Sequence, residues 1–387
     1  MAAFPAALAF AQDAHSPDSQ RPPATAPQTA DDEERDTSSR YSWEYTKEQN
    51  DAIDKGLRFL ASKQVPAGRG GFWLSQGGHF DVAVTALAGL AFLAHGDQPG
   101  RSPRKPEDGT AEVSYGDRIE RAANWLMENQ WRDNHPGGNG GLYYDQERAD
   151  DEKTDRPMHG HGYAMLFLAE AYGQISDPKL RERIRESLRR AIGLTEATQS
   201  REGGWFYKPG DGKDEGSVTI TQIQGLRAAR NAGISINKAI IDKAVDYIRR
   251  SQYPAGTNRA GGVRYTIHYG DPSPALTAAG ISVYYGAGEY GSPGIERGFE
   301  YLSRNMRLDD KTHFWFYTHF YAVQAMYQRG LPEWKSYYTK LRQQLLAEGA
   351  TNSEHAWQDP QIGPVFGTAV AVLCLEVPLG YLPIFQR

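Results

Sequence analysis

The sequence is poor in cysteine, with Cys374 as its single example among 387 residues. One cysteine excludes an internal disulfide and any zinc site built from several thiolates. Cys374 lies in the apolar run 370–375, where a buried and unreactive thiol is expected. We therefore predict no cysteine-based metal site.

The sequence also has no excess of basic charge and no long apolar run. The chain has 43 Lys and Arg against 48 Asp and Glu, a formal net charge of −5, and no basic run. Nucleic acid is therefore not expected as a partner. No segment approaches the ~20 apolar residues that a membrane-spanning helix needs, so no transmembrane segment is predicted. The hydrophobic fraction of 39% nevertheless suffices for a large core.

The first 44 residues differ in composition from the rest of the chain. Residues 2–10 are small and apolar, and Ala9-Phe10-Ala11 has the small-x-small form of a signal-peptidase site. We interpret 1–11 as a signal-peptide remnant and expect export to the periplasm or the cell surface; without a signal the protein would be cytoplasmic. Residues 12–44 are rich in Pro, Ser, Thr and Asp, which predicts a disordered linker. A single domain is predicted for 45–387.

Internal repetition is the strongest signal in 45–387. Four amphipathic segments end in a glutamine, and each is followed by a Gly-Gly pair. An aromatic residue lies within three positions after each pair. The glutamines are Gln64, Gln130, Gln199 and Gln252, and the glycine pairs begin at Gly70, Gly140, Gly203 and Gly261. Glycine pairs permit the positive φ angles that end one helix and redirect the chain. Two further copies are degenerate, so six helical hairpins are predicted.

The two helices of each predicted hairpin differ in polarity. Amphipathic helices are predicted at 47–63, 116–129, 179–198, 238–251, 294–305 and 334–347. More apolar helices are predicted at 81–96, 160–173, 217–233, 274–288, 316–330 and 363–378. A helix that is apolar all round must be buried on every side, so the second set is predicted to form an inner ring. The fold class is therefore all-α, an (α/α)6 toroid, with a helical solenoid as the competing architecture.

In such a toroid the six inner helices run parallel, so their N-termini meet at one end of the barrel. Each N-terminus carries roughly half a positive charge and unpaired backbone N–H groups. This mouth is expected to attract an anion, such as a phosphate, carboxylate or diphosphate, above an apolar shaft.

The Gln-terminated helices, the Gly-Gly turns and the segment Asp81-x-x-x-Thr85-Ala86-Leu87-Ala88-x-Leu90 resemble the repeats of squalene–hopene cyclases and of prenyltransferase β-subunits. The resemblance covers about 45–387, and the chain is most similar to short bacterial proteins of the planctomycete type with prenyltransferase/squalene oxidase repeats. The resemblance implies a central cavity that holds an isoprenoid or another apolar small molecule.

The catalytic residues that the resemblance implies are absent. Cyclases of this family protonate an alkene with the middle residue of Asp-x-Asp-Asp-Thr, whereas the matching stretch here is Asp81-Val82-Ala83-Val84-Thr85. Prenyltransferases hold zinc with Asp, Cys and His, but Cys374 has no Asp two residues before it. The acidic runs 31–36 and 150–155 have the residue types of magnesium–diphosphate motifs, yet they are better explained as solvated charge. No metal and no cofactor are therefore predicted.

Polar residues in the apolar helices are the candidate site residues, because burying an unpaired polar group is costly. Asp81, Glu170 and His161 are the candidate catalytic residues. The candidate substrate-binding residues are Thr85, Tyr163, Gln222, Thr277, Tyr317, His319 and Gln324. Gln224 and Tyr321 are further polar residues of these helices that either face a cavity or have a structural partner. Each catalytic candidate also has a structural alternative. Asp81 could cap its helix, and Glu170 could pair with an arginine on a neighbouring helix. His159 and His161 together could suggest a metal pair, but a hydrogen-bonding role is expected instead.

Three functions follow as hypotheses. The first is a terpenoid-cyclase-like or prenyltransferase-like toroid that binds an isoprenoid and is catalytic only if Asp81 or Glu170 serves as an acid. The second is an exported, non-catalytic binding or scaffold protein. The third is a carbohydrate-active α/α barrel, which the 22 Tyr and 8 Trp favour. A deep aromatic shaft with one carboxylate would favour cyclisation, a filled interior a scaffold, and a wet groove with two carboxylates glycan chemistry.

Overall fold

The computed structural model describes residues 43–66, 68, 70–99, 115–132, 138–143, 156–311, 314–349, 354 and 356–386. The predicted signal remnant 1–11, the linker up to residue 42 and the acidic runs 31–36 and 150–155 lie outside the described residues. Glu44–Arg387 form one compact unit.

Twelve α-helices make up the described part of this unit. They are α1 (Lys47–Lys63), α2 (Asp81–Ala94), α3 (Tyr115–Glu128), α4 (Pro157–Tyr172), α5 (Pro178–Ala197), α6 (Gly216–Asn231), α7 (Lys238–Ser251), α8 (Pro274–Ala287), α9 (Pro293–Asn305), α10 (Trp315–Arg329), α11 (Glu333–Gly349) and α12 (Pro364–Glu376). Short 3-10 turns occupy Gln76–Gly78, Val377–Leu379 and Pro383–Phe385. Extended contacts between described residues are limited to isolated bridges, such as Gln252 with Val263.

The even-numbered helices form a closed inner ring. Each of them packs on the next, and α12 packs back on α2. The odd-numbered helices lie outside, each against its inner neighbours. This closure excludes an open solenoid, and the predicted all-α toroid of six hairpins is confirmed.

Burial follows the predicted difference between the two helix sets. All residues of α2, from Asp81 to Ala94, are buried. In the outer helix α7, by contrast, burial is confined to a stripe that includes Ile241, Val245 and Ile248. Each such aliphatic side chain contributes ~1.5–3 kcal/mol on burial. Apolar burial on the inner ring and along one stripe of the outer ring therefore holds the two rings together.

The glutamine that ends four of the outer helices ties neighbouring hairpins together. The Gln252 Nε2 atom donates to the carbonyl oxygens of Gly261, in its own glycine turn, and of Gly294, in the next outer helix, both at 2.8 Å. The amides of Gln64, Gln130 and Gln199 each donate to two carbonyls in the same way. We call these four side chains the glutamine clamps. They explain why glutamine recurs at this position.

The two ends of the barrel differ. The inner helices begin at one end, the mouth, where the turns before them meet. At the other end, Val377–Leu379 packs on α10 and Pro383–Phe385 packs on α6. Leu382 and Phe385 are buried there, and the Gln328 Nε2 atom donates to the Gln386 carbonyl at 2.6 Å. The C-terminal segment therefore covers the end of the barrel opposite the mouth.

None of the described helices combines the length and the apolar character that a membrane span requires.

Candidate functional site

A group of polar and aromatic side chains lies at the mouth, over the starts of α4 and α6. We call Arg156, His159, Tyr207, Glu215 and Tyr265 the mouth cluster. Backbone hydrogen bonds position it: the N–H of Met158 donates to the Tyr207 carbonyl at 3.1 Å, and the N–H of Gly216 donates to the Tyr265 carbonyl at 2.7 Å. Each of these two loops is thereby fixed across the start of the preceding inner helix.

Tyr207 and Tyr265 join these loops through their side chains. Their hydroxyl oxygens are 2.5 Å apart, and both residues are partly exposed. Burial raises the pKa of both phenols above the ordinary value. Both hydroxyls are therefore neutral at neutral pH, and each can donate or accept a hydrogen bond.

Glu215 lies beneath the cluster and caps α6. Its carboxylate accepts from the N–H of Val218 at 2.5 Å, from the N–H of Ser217 at 2.8 Å and from the Ser217 hydroxyl at 2.7 Å. Its side chain is 0% exposed. Burial raises its pKa to about 7, although the hydrogen bonds from Ser217 and Val218 and the charge of Arg156 act in the opposite direction. Near neutral pH, Glu215 therefore exchanges between its acid and carboxylate forms.

His159 lies between Glu215 and the opening. Its Nε2 atom is 3.9 Å from the nearer Glu215 oxygen and 3.4 Å from the Ser217 hydroxyl, and its side chain is 16% exposed. Burial lowers its pKa to about 3, and the Arg156 charge adds to this effect. The imidazole is therefore neutral, and its approach to Glu215 is not an ion pair. The distance of 3.9 Å is too long for a direct hydrogen bond between the imidazole and the carboxyl group.

Side chains from inner helices that are not adjacent in the ring meet inside the barrel. The hydroxyls of Tyr163 on α4 and Tyr321 on α10 are 3.2 Å apart, and both residues are buried. The Gln224 Nε2 atom on α6 donates to Gln324 Oε1 on α10 at 3.3 Å. Because Tyr163 lies six residues into α4, the axis is crossed ~9 Å below the start of that helix. The mouth is therefore shallow on the α4 side.

Tyr317 lies between the axis and the mouth cluster. Its ring centroid is 4.8 Å from that of Tyr321, and its hydroxyl makes no hydrogen bond to a described residue. Burial raises its pKa well above the ordinary value, and electrostatic interaction with Glu215 adds to the effect. Among the residues predicted from the inner helices, Tyr317 therefore interacts electrostatically with Glu215 and Tyr207 of the mouth cluster.

Thr85, His161 and Thr277 make the same kind of contact: each side chain accepts a hydrogen bond from a backbone N–H in the turn before its own helix. Thr85 Oγ1 accepts from the N–H of Trp73 at 3.0 Å, and Thr277 Oγ1 accepts from the N–H of Val263 at 2.9 Å. His161 Nδ1 accepts from the N–H of Leu142 at 3.1 Å, while its Nε2 is 2.9 Å from the Thr195 hydroxyl. Thr219 and Thr368 make the same contact in other hairpins. These residues hold the turns before the inner helices and are spread round the ring.

Burial lowers the pKa of His161 to about 4, so its imidazole is neutral. Asp81 also fixes a loop: its Oδ1 atom accepts from the Ser75 N–H at 2.8 Å and the Ser75 hydroxyl at 2.7 Å. The N-cap position of α2 is Phe80, and Asp81 in the first turn holds the loop that precedes the helix.

Gln222, His319 and Gln324 connect helices. The Gln222 Nε2 atom donates to the Met158 carbonyl at 2.7 Å, which ties α6 to the start of α4. His319 Nδ1 is 2.8 Å from the Tyr337 hydroxyl, which ties α10 to α11. The Gln324 Nε2 atom donates to the Phe320 carbonyl within α10 at 2.7 Å.

Glu170 lies towards the other end of α4, ~13 Å along the helix from His161. Its side chain is 4% exposed, and neither carboxylate oxygen has a hydrogen-bond partner among the described residues. Burial raises its pKa to about 7, while the Ile384 backbone and the Arg227 charge nearby act to lower it. The structure therefore does not bring Asp81, His161 and Glu170 together.

The raised pKa of Glu170 makes a prediction for stability. Below its ordinary pKa of 4.5 the group is protonated in both the folded and unfolded chain, and stability is lost as the pH rises from about 4.5 to about 7. At about 1.4 kcal/mol per pKa unit, the loss reaches ~3 kcal/mol. We expect Glu170→Gln to match the wild type at pH 4.5 and to be more stable by up to ~3 kcal/mol at pH 8 in urea unfolding. The exposed Glu300→Gln is the control, and an equal difference at both pH values would contradict this role.

Sequence reasoning missed most of the mouth cluster. Arg156, Tyr207 and Tyr265 lie in loops before inner helices, where no apolar pattern marks a buried polar residue. Glu215 had one available signal, because an acidic side chain directly before a helix is typical of a cap. His159 was considered only with His161 as a metal pair. Within the described ranges, no three His, Cys, Asp or Glu side chains are arranged to hold a metal ion.

No protein-family model and no curated protein matches the sequence. Solved structures do match. The α-1,6-mannanase GH76A of Salegentibacter sp. HEL1_6 is 9% identical, with 86% of this chain and 99% of the mannanase covered and a TM-score of 0.57. The type II terpene cyclase MstE from Scytonema is 15% identical, with 87% and 99% covered and a TM-score of 0.55. The cellobiose 2-epimerase from Bacillus thermoamylovorans B4167 is 11% identical, with 76% and 86% covered and a TM-score of 0.53.

The chain is an α/α toroid. The predicted fold is thereby confirmed, and the specific family is not shown. At such low identity these matches show the fold alone, and the three proteins differ in activity. The function has to be argued from the mouth cluster.

Proposed function

We propose that the mouth cluster binds a sugar. The observation that carries this proposal is the contact between Tyr163 and Tyr321, which crosses the barrel beneath a mouth that carries tyrosine, histidine and arginine side chains. A shallow site suits a ring-shaped ligand better than a long chain. Tyrosine combines an apolar ring face with a hydroxyl, and a few polar groups among aromatic ones are typical of small-molecule sites.

The isoprenoid hypothesis is the weaker alternative. A long apolar molecule needs an apolar shaft, but Tyr163, Gln224, Tyr321 and Gln324 form hydrogen bonds across the inside of the barrel. Displacing these side chains would break their hydrogen bonds in a dry interior, which costs ~1–3 kcal/mol for each buried polar group left unpaired. The terpene cyclase neighbour has been solved with geranylgeranyl dihydroxybenzoate, whereas the mannanase neighbour has been solved with α-1,6-mannotriose.

The neutral imidazole of His159 and the neutral hydroxyls of Tyr207 and Tyr265 are groups that hydrogen-bond the hydroxyls of a sugar. Glycoside hydrolysis by two carboxylates is not part of the proposal, because Glu215 is the single carboxylate of the mouth cluster. Sugar binding is therefore the proposed activity, with His159 and the two tyrosine hydroxyls as its hydrogen-bonding groups.

Binding of mannotriose and cellobiose, measured by calorimetry and ligand-observed NMR, tests the proposal. We expect one or both to bind, and Tyr207→Ala to weaken that binding at least ~10-fold, as truncation of a central aromatic contact does. Tyr290→Ala is the matched control, because Tyr290 follows α8 and is 63% exposed. Its binding should equal that of the wild type.

Three results would count against sugar binding. Binding that survives Tyr207→Ala would place the site elsewhere. An isoprenoid that co-purifies with the protein and is identified by mass spectrometry would favour the first hypothesis. Failure of the sugars and of geranylgeraniol to bind would favour the scaffold hypothesis.

A further inference from the structure

We infer that the sugar bound at the mouth carries a carboxylate and that Arg156 recognises it. This inference rests on the proposed function and names its ligand class. Its starting point is the position of Arg156, which directly precedes α4 and is exposed at the mouth. The guanidinium carbon lies 4.5 Å from the ring centroid of Tyr207.

The charge of Arg156 is available to a ligand. Arg156 makes no ion pair with a described residue. Glu215, the nearest acid of the cluster, is buried and already accepts hydrogen bonds from Ser217 and Val218. The neighbouring Asp214 accepts from the Ser200 hydroxyl at 2.9 Å. His159 and the tyrosines are neutral, so the exposed part of the mouth cluster carries a net positive charge.

The geometry of Arg156 suits a carboxylate. Its guanidinium carbon lies over the Tyr207 ring, and its N–H groups donate to no described residue. Those N–H groups form a rigid fork that matches the two oxygens of a carboxylate. The N-cap of α4 has no side-chain hydrogen bond, so the positive end of that helix lies at the same place.

The hydrogen-bonding groups beside Arg156 suit the rest of such a ligand. The hydroxyls of Tyr207 and Tyr265 and the Nε2 atom of His159 are neutral donors and acceptors. A sugar ring presents hydroxyls to groups of this kind, while its carboxylate would lie against the guanidinium edge. A uronic acid combines both features in one ring.

The test compares two ligands that differ only in this group, 4-nitrophenyl β-D-glucuronide and 4-nitrophenyl β-D-glucoside, by calorimetry. We expect the glucuronide to bind about 10- to 100-fold more tightly, the range for hydrogen bonds to a charged group. Arg156→Gln should remove this preference, so that the two glycosides bind to that variant with affinities within about 2-fold of each other. Arg156→Lys, which keeps the charge and loses the fork, should retain only part of the preference.

Arg304→Gln is the matched control, because Arg304 is an exposed arginine in the last turn of α9. It should retain the full preference, and circular dichroism should show that all variants are folded. If the glucoside binds as tightly as the glucuronide, the inference fails while the proposed function stands. If glucose 6-phosphate binds more tightly than the glucuronide, the assignment of a carboxylate is wrong. If neither glycoside binds while mannotriose or cellobiose does, the inference alone fails, and if none of the four binds, the proposed function fails with it.

Discussion

Replacing Gln252 with alanine is expected to lower the free energy of unfolding by about 3–5 kcal/mol. The amide of Gln252 is 6% exposed and donates to two carbonyl oxygens, those of Gly261 and Gly294. Alanine removes both donors at once and leaves two buried acceptors unpaired, at ~1–3 kcal/mol each, together with a cavity. Guanidinium unfolding of the purified variant measures the loss.

Gln252→Glu separates the hydrogen bonds from the packing. Glutamate has nearly the same shape but, as a carboxylate, places negative charge against two carbonyl oxygens and donates to neither. We expect it to be at least as unstable as the alanine variant at pH 8. Stability should recover in part as the pH is lowered, because the carboxylic acid regains one donor. Gln343→Ala, in an exposed position of α11, is the control and should cost less than ~0.5 kcal/mol. If Gln252→Ala lowered the free energy of unfolding no more than Gln343→Ala does, the glutamine clamp would not be needed for stability.

The glutamine clamps also show which features of the fold a repeated sequence pattern can predict. The recurring glutamine marked the hairpins correctly because a repeated residue is visible without any structure. Its role was not predicted, because the second carbonyl of each pair lies in the next hairpin, 42 residues from Gln252 in the case of Gly294. A pattern within one repeat carries no information about that partner.

Helix positions were predicted well because helical periodicity is local. The outer helix α7 was predicted at 238–251 and spans Lys238–Ser251. The inner helix α4 begins at Pro157 and not at 160, because proline at the first helical position is compatible with a helix start. Polarity alone did not identify that first turn, which contains His159.

The mouth cluster depends on contacts between loops and was therefore beyond the reach of periodicity. Tyr207 and Tyr265 meet across 58 residues of sequence, and each is held by the backbone of the preceding inner helix. The candidates chosen from the inner helices were polar residues in apolar surroundings, and such residues must find hydrogen-bond partners. Thr85 and Thr277 find theirs in the backbone of the turns. In this fold, a buried polar residue on an inner helix can therefore indicate a hydrogen bond to a turn just as well as a contact with a ligand.

Gly261→Ala is expected to lower the free energy of unfolding by about 3–5 kcal/mol, through two separate effects. Gly261 has a φ of +83°, in the region that side chains with a Cβ rarely adopt. An added Cβ would also overlap the carbonyl oxygen of Arg297 on α9, which is backbone and cannot rotate away. Thermal and guanidinium unfolding measure the combined cost.

Gly256 provides the control that separates these effects. It lies in the same connection, has a φ of +88°, and a Cβ added to it would meet no heavy atom within 4 Å. Gly256→Ala should therefore show the backbone strain alone, about 1–2 kcal/mol. The excess cost at Gly261 then measures how firmly α9 is held against the turn. Equal costs at the two positions would mean that α9 yields without loss, and the close packing between hairpins would then not hold the toroid together.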